Sequence, residues 1–196
     1  MKRSASVKRT TKETDILINL SIDGVGDSEI NSGNGFMDHM LNLFARHGLF
    51  DLKLQCKGDT HIDFHHSAED IGIALGTAFK DALGDCKGIN RYSTVYIPMD
   101  ESLARVCLDI AGRSNLVYSV QLSDRKINDF YCDLVEYFFK AFSDNSRSTI
   151  HIDLIRGRNS HHAIEAVFKA FGRAMSEACS INPRLGDRLP TTKGLL

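Results

Sequence analysis

Apolar and polar positions alternate with period two in several short stretches of the chain and with helical period in four longer ones. Residues 4–10 alternate basic and hydroxyl side chains, and Asp15 to Ile22 reads DILINLSI; both predict strands. Asp23-Gly24-Val25-Gly26-Asp27 predicts a turn and Asn31-Ser32-Gly33-Asn34-Gly35 a loop. A helix follows from about Phe36 to His47, with Met37, Met40, Leu41 and Phe44 on one stripe and Gly48 placed to end it. Phe50 to Cys56 alternates as a strand. A second helix reaches Leu83, with Ile71, Ala74, Leu75, Ala78, Phe79 and Ala82 at helical spacing. After the break Gly84-Asp85-Cys86-Lys87-Gly88 come three strands, Arg91–Pro98, Leu103–Ile110 and Leu116–Gln121. Asp129 to Phe142 predicts a helix, Thr149 to Leu154 a strand, and a last helix ends near Cys179. Pro183 to Leu196 is polar and predicts an irregular tail.

Side by side, the two halves repeat: strands, helix, strand, short loop, helix. The expected division is 1–87 and 88–196, fused into one globular unit with a C-terminal tail. Each closing helix opens on the same pattern. It reads His65-His66-Ser67-Ala68-Glu69 in the first half and His161-His162-Ala163-Ile164-Glu165 in the second. Asp38-His39-Met40-Leu41 aligns with Glu136-Tyr137-Phe138-Phe139. The gap from His39 to His65 is 26 residues, and from Tyr137 to His161 it is 24. Long helices alternating with adjacent strands predict an α+β fold with helices on one face of a mixed or antiparallel sheet.

Composition narrows the function classes. The 196 residues are 42% apolar and 25% charged, with formal net charge −1, which gives no electrostatic case for nucleic acid or an anionic membrane. No apolar run approaches a membrane span. The basic Met1-Lys2-Arg3-Ser4 lacks the apolar region of a signal peptide. The five cysteines, Cys56, Cys86, Cys107, Cys132 and Cys179, are scattered and read as reduced core thiols of a cytoplasmic protein.

One HH-x-x-E copy would read as a solvated helix face; two copies at matching repeat positions argue for metal ligands. On a helix the Glu at i+4 lies about 40° from the first His, and the second His about 100° from it. Adjacent histidines therefore point to different ions, and each helix should feed two. Imidazole with carboxylate suits Mn, Fe, Co, Ni or Zn better than Mg or Ca. His39 is a further ligand candidate. Arg91, Arg113, Lys169 and Lys193 could hold an anion, and Thr191-Thr192-Lys193-Gly194 has the makings of a phosphate cradle.

These stretches resemble the imidazoleglycerol-phosphate dehydratase family. Ile62-Asp63-Phe64-His65-His66-Ser67-Ala68-Glu69 is similar to its first signature, and Gly157-Arg158-Asn159-Ser160-His161-His162-Ala163-Ile164-Glu165 to its second. Gly35-Phe36-Met37-Asp38-His39-Met40-Leu41, Pro98-Met99-Asp100-Glu101 and the Thr-Thr-Lys-Gly tail also match. The resemblance runs from about Ser4 to Leu196.

The resemblance implies duplicated βα half-domains of ribosomal protein S5 domain 2-like type, with helices on one face of each four-stranded mixed sheet. It implies a hydro-lyase of histidine biosynthesis that converts D-erythro-imidazoleglycerol phosphate to imidazoleacetol phosphate. It implies two Mn²⁺ ions per site, stabilising an imidazolate or diazafulvene-like intermediate. The ligands would be His39, His65, His66, Glu69, His161, His162 and Glu165. The family commonly has a ligand His where this chain has Tyr137. Tyrosine there ligates as phenolate, leaves the position to water, or points elsewhere. Glu13 would move a proton at the glycerol chain, with Glu69 and Glu165 as further catalytic carboxylates. Substrate would meet Glu13, His39, His65 and His161, and its phosphate Arg91, Arg113, Thr191, Thr192 and Lys193. The assembly implied is a 24-subunit homo-oligomer with active sites shared between subunits. A dinuclear phosphatase or hydrolase and a metal-storing assembly are the competing classes; a phosphate set argues against storage.

Overall fold

In the computed structural model, which describes residues 3–195, each half builds one four-stranded sheet. Met1, Lys2 and Leu196, at the two ends of the basic N-terminus and the polar tail, lie outside the described residues. The alternation of β2 (Thr14–Ser21) buries Ile16, Ile18 and Leu20 completely or nearly so and turns Asp15, Leu17 and Asn19 outward. Antiparallel neighbours flank it, β1 (Ser4–Thr10) on one side and β4 (Asp51–Gly58) on the other. The short β3 (Ser28–Asn31) joins β4 in parallel, giving the order β1-β2-β4-β3. The second half repeats this with β5 (Tyr92–Met99), β6 (Ser102–Asp109), β10 (Thr149–Arg156) and β7 (Asn115–Ser119), in the order β5-β6-β10-β7. Both sheets are mixed, and Pro98 falls on the edge strand β5, where a missing N–H costs no ladder bond.

Helices cover one face of each sheet, as the α+β reading expects. They are α1 (Gly35–Gly48), α2 (His65–Leu83), α3 (Leu134–Ser146) and α4 (Ser160–Cys179). The halves join through them crosswise: α2 packs on α3 and α4 on α1, so each HH-x-x-E helix meets a helix of the other half. The joint is aromatic, with Phe44 against Phe171 at 5.1 Å and Phe79 against Phe142 at 5.6 Å between ring centroids. Two glycines at matching repeat positions let the backbones close up. A Cβ at Gly76 would stand 2.5 Å from the Phe142 carbonyl oxygen, and one at Gly172 2.5 Å from that of Phe44.

Two elements differ from expectation. β3 lies between the stretches read as turn and loop, where no element is expected because four polar-rich residues carry no readable alternation; it forms by adding to the open edge of β4. The helix expected from Asp129 starts at Leu134. Ahead of it lies a small hairpin, β8 (Lys126–Ile127) with β9 (Phe130–Tyr131). Phe130 is buried between Phe36 and Phe64, and Cys132 N–H donates to the Arg125 carbonyl at 3.0 Å. Tertiary burial overrides the local helical spacing there.

Candidate functional site

The N-terminal ends of the helices meet at one end of the molecule, joined by Phe130 touching both Phe36 and Phe64. Capping fixes the backbones there. Asn159 accepts from the His161 and His162 N–H groups at 2.9 and 3.3 Å, and Asn34 accepts from Phe36 and Met37 at 3.0 and 3.1 Å. Asp63 does the same for the His65 N–H at 2.8 Å.

Across the α1–α4 joint, His39, His161 and Glu165 converge. Their ligand atoms lie within 4.8 Å of one another, the one such group of three among the described residues. Both histidines present Nε2 to Glu165 Oε2, at 3.5 Å from His39 and 3.4 Å from His161. An ion bonded to N and O ligands at about 2.0–2.2 Å holds cis ligand atoms roughly 3.0–3.5 Å apart, so this spacing fits a metal. Lys169 does not join the anion-binding residues; its Nζ pairs with Glu165 Oε1 at 2.5 Å. Burial raises the Glu165 carboxyl, but Lys169 and His39 together hold it below its ordinary value.

The matching place across the α2–α3 joint is poorer in donors. His65 Nε2 stands 3.8 Å from Glu69 Oε2. Tyr137 lies on the His65 ring, 4.6 Å between centroids at a 59° tilt. It occupies the position that His39 holds in the other copy.

The second histidine of each motif turns away from the first, with ring planes 89° apart in one copy and 82° in the other. His66 Nδ1 bonds Asp59 at 3.0 Å, and its Nε2 faces Glu13 at 3.7 Å. His162 Nδ1 bonds Glu101 at 2.9 Å. The hydrogen bond to Asp59 raises the His66 pKa above its ordinary value, and that to Glu101 does the same for His162. Glu101 is held well below the usual carboxylate range by His162 and by backbone N–H groups, Asn159 first. Asp59 and Glu101 were not singled out from sequence as site residues. Asp59 falls between the strand ending at Cys56 and the first HH-x-x-E motif, and Glu101 is one residue of a matching tetrapeptide.

Glu13 sits in the β1–β2 turn, where the Thr11 hydroxyl accepts from its N–H at 3.1 Å. The turn is pinned to α2 by Thr14, whose hydroxyl donates to the buried Asp70 at 2.5 Å, and Arg9 donates to the same carboxylate at 2.8 Å.

Arg91, Arg113, Thr191, Thr192 and Lys193 line one cleft of about 1000 Å³ between the second sheet and the tail, together with Arg147 and Arg188. Arg91 is anchored by Asp109 at 2.7 Å and by the Pro190 carbonyl at 2.8 Å. This cleft is not beside the histidines. The Arg91 N–H donates to the carbonyl of Ala178, near the far end of α4. His161 and Ala178 are 17 residues apart on that helix, which at 1.5 Å per residue is about 25 Å.

The imidazoleglycerol-phosphate dehydratase family profile matches residues 32–175. The chain belongs to that family. An imidazoleglycerol-phosphate dehydratase from Pelobacter propionicus is 55% identical over 196 residues, all of both chains. One from Caldanaerobacter subterraneus subsp. tengcongensis is 54% identical over 194 residues, covering 99% of this chain and 100% of that one. The crystal structure of the Staphylococcus aureus enzyme superposes with a TM-score of 0.83 at 45% identity, over 91% of this chain and 99% of that one. The Pyrococcus furiosus enzyme in complex with (S)-C348 gives 0.83 at 34% identity, over 97% and 100%. Membership makes the chain a hydro-lyase of histidine biosynthesis. It also bears out the α+β fold class, with its duplicated βα halves.

Proposed function

We propose that the chain dehydrates D-erythro-imidazoleglycerol phosphate to imidazoleacetol phosphate at a dinuclear, Mn²⁺-dependent site shared between subunits of a cytoplasmic homo-oligomer, a 24-subunit assembly. The observation that carries the sharing is the separation of about 25 Å between His161 and the Arg91 cleft along α4. A substrate of one imidazole ring, three carbons and a phosphate cannot span it. Ring-binding histidines from one subunit must therefore meet a phosphate cleft from another.

The donor sets support two ions of mixed ligation. His39, His161 and Glu165 would hold one; His65 and Glu69 would hold the other, with Tyr137 alongside. His66 and His162, turned outward, would complete clusters on neighbouring subunits. Bound ions would supply the Lewis acidity that favours the deprotonated ring, whose charge can then expel the hydroxyl. The chain's residues do the rest. Arg91, Arg113 and Lys193 neutralise the phosphate, and Thr191 and Thr192 hydrogen-bond it. These contacts lie away from the reacting carbons and hold the glycerol chain in place. Glu13 moves a proton at C2 or at the departing hydroxyl, and its turn is kept in register by Thr14 and Asp70. Glu69 and Glu165 act as ligands that also set the charge of each cluster. All five cysteines are free, which suits a reducing compartment.

Subunit complementation tests the reading. His161→Ala and Arg113→Ala variants should each be inactive alone on imidazoleglycerol phosphate. Dissociated together and reassembled, they should regain activity, because some sites then draw both intact residues from different chains. Mixed assemblies that stay as inactive as the parents would overturn the shared site.

A further inference from the structure

Each HH-x-x-E motif contains a histidine that turns its back on its own helix's carboxylate, and in both copies a different carboxylate takes hold of it. Asp59 Oδ2 lies 3.0 Å from His66 Nδ1, and Glu101 Oε2 lies 2.9 Å from His162 Nδ1. An ionised carboxylate only accepts hydrogen bonds, so Nδ1 carries a hydrogen in both rings, and in the neutral ring Nε2 is the nitrogen that keeps its lone pair. The first histidines show the complementary arrangement, with Nε2 of His161 and of His65 aimed at Glu165 and Glu69.

The repeat reaches this symmetry by unrelated routes. Asp59 sits in the loop before α2, seven residues ahead of its histidine. Glu101 comes from the β5–β6 turn, 61 residues ahead. Two carboxylates from different elements arriving at the same ring nitrogen point to a shared requirement.

The surroundings differ in an informative way. Glu101 also ties a loop: its Oε1 accepts from the Asn159 N–H at 2.9 Å, the Arg158 N–H at 3.2 Å and the Ser102 hydroxyl at 3.2 Å. Among the described residues Asp59 has no such second duty. Its side chain is 13% exposed, and its Oδ1 is buried with no hydrogen-bond partner among them. Leaving a buried carboxylate oxygen unpaired is costly, and the side chain's hydrogen bond goes to His66.

We infer that Asp59 and Glu101 are positioning residues. They fix the tautomer and ring direction of His66 and His162, so that each second histidine offers Nε2 to a metal ion other than the one its motif's first histidine binds. A ligating imidazole held this way by a carboxylate is oriented and made more basic, and losing the partner typically weakens metal binding about 10–100-fold. The inference rests on the metal-dependent reading above and deepens it.

The test is Mn²⁺ titration of the metal-stripped, assembled protein, reading free Mn²⁺ by electron paramagnetic resonance. Asp59→Asn and Glu101→Gln keep the size of each side chain but can donate as well as accept, so the tautomer is no longer dictated. Each should weaken Mn²⁺ binding about 10–100-fold at unchanged melting temperature. Asp144→Asn, which removes an exposed carboxylate paired with Lys140 on α3, should leave it unchanged. If Asp59→Asn does not fold, the same titration on Glu101→Gln decides. Wild-type Mn²⁺ affinity in the folded carboxamide variants would overturn the inference. A wild-type protein that binds no Mn²⁺ would instead sink the metal-dependent reading on which it rests.

Discussion

Gly172 sets how closely α4 can approach α1, and therefore how His39 meets His161 and Glu165. Its hypothetical Cβ stands 2.5 Å from the Phe44 carbonyl oxygen and 3.2 Å from the Gly48 nitrogen. Both are helix backbone and cannot swing aside. In Gly172→Ala the Phe44 oxygen must move from 2.5 Å to about 3.4 Å to reach ordinary contact, so the helices must part by roughly 0.9 Å. Overpacking of that kind costs about 1–3 kcal/mol, while Ala over Gly in a helix interior returns about 1 kcal/mol. The net expectation is a loss of about 1 kcal/mol, a melting temperature about 2–4 °C lower for a chain this long. Parting the helices also spreads ligand atoms that now lie 3.4–3.5 Å apart, so Mn²⁺ affinity should fall with stability. Gly35→Ala on α1 is the control: no described residue lies within 4 Å of its Cβ, and it should be neutral or slightly stabilising. Calorimetric scans at one rate compare the three proteins. A Gly172→Ala protein that melts higher than wild type, as bare helix propensity dictates, would refute the close packing and the link from packing to site.

Four other outcomes are expected. Glu13→Gln should keep metal content and substrate affinity but lose about 10²–10⁴ in turnover; normal turnover removes Glu13 from proton transfer. Arg113→Lys, keeping charge but not the fork, should raise KM far more than it lowers kcat, and an equal fall in both would place Arg113 at the reacting centre. Tyr137→His gives the His65–Glu69 pair a third donor, so a Mn²⁺ titration that is biphasic in wild type should approach a single phase; an unchanged curve means that Tyr137 is already a ligand. Burial pushes the Cys56 thiol up to about 11 and the Cys179 thiol up to about 12. The unfolded chain then loses these protons first as pH rises past about 8.5, so stability falls with pH above that point. Both thiols should resist labelling at pH 8 until the protein unfolds, and prompt labelling of either in the native protein counts against its burial.

Much of the fold was legible because the pattern of burial was strong. Ile16, Ile18 and Leu20 could face only one way, and the α2 stripe from Ile71 to Ala82 could belong only to a long helix. The internal repeat was also readable, since both motifs and their spacing are written in the chain. The crosswise pairing of α2 with α3 and α4 with α1 was not, because helix periodicity says which face is buried but not against what. The short β3 and the β8–β9 hairpin escaped for a related reason. They exist through an open sheet edge and through the burial of Phe130, both tertiary facts. At the site, the residues of the two motifs could be named from sequence, and the structure shows how they divide. His161 turns inward to Glu165 while His162 turns to Glu101, and the Arg91 cleft lies at the other end of the helix. No spacing rule foretold Asp59 or Glu101, which act through loops whose course only the folded chain reveals.

The most direct measurement is turnover of D-erythro-imidazoleglycerol phosphate by the metal-stripped protein before and after addition of Mn²⁺, following imidazoleacetol phosphate and inorganic phosphate together. The expected result is ketone product only when Mn²⁺ is present, with no phosphate released. Full turnover by metal-free protein, or phosphate release in place of the ketone, would contradict it.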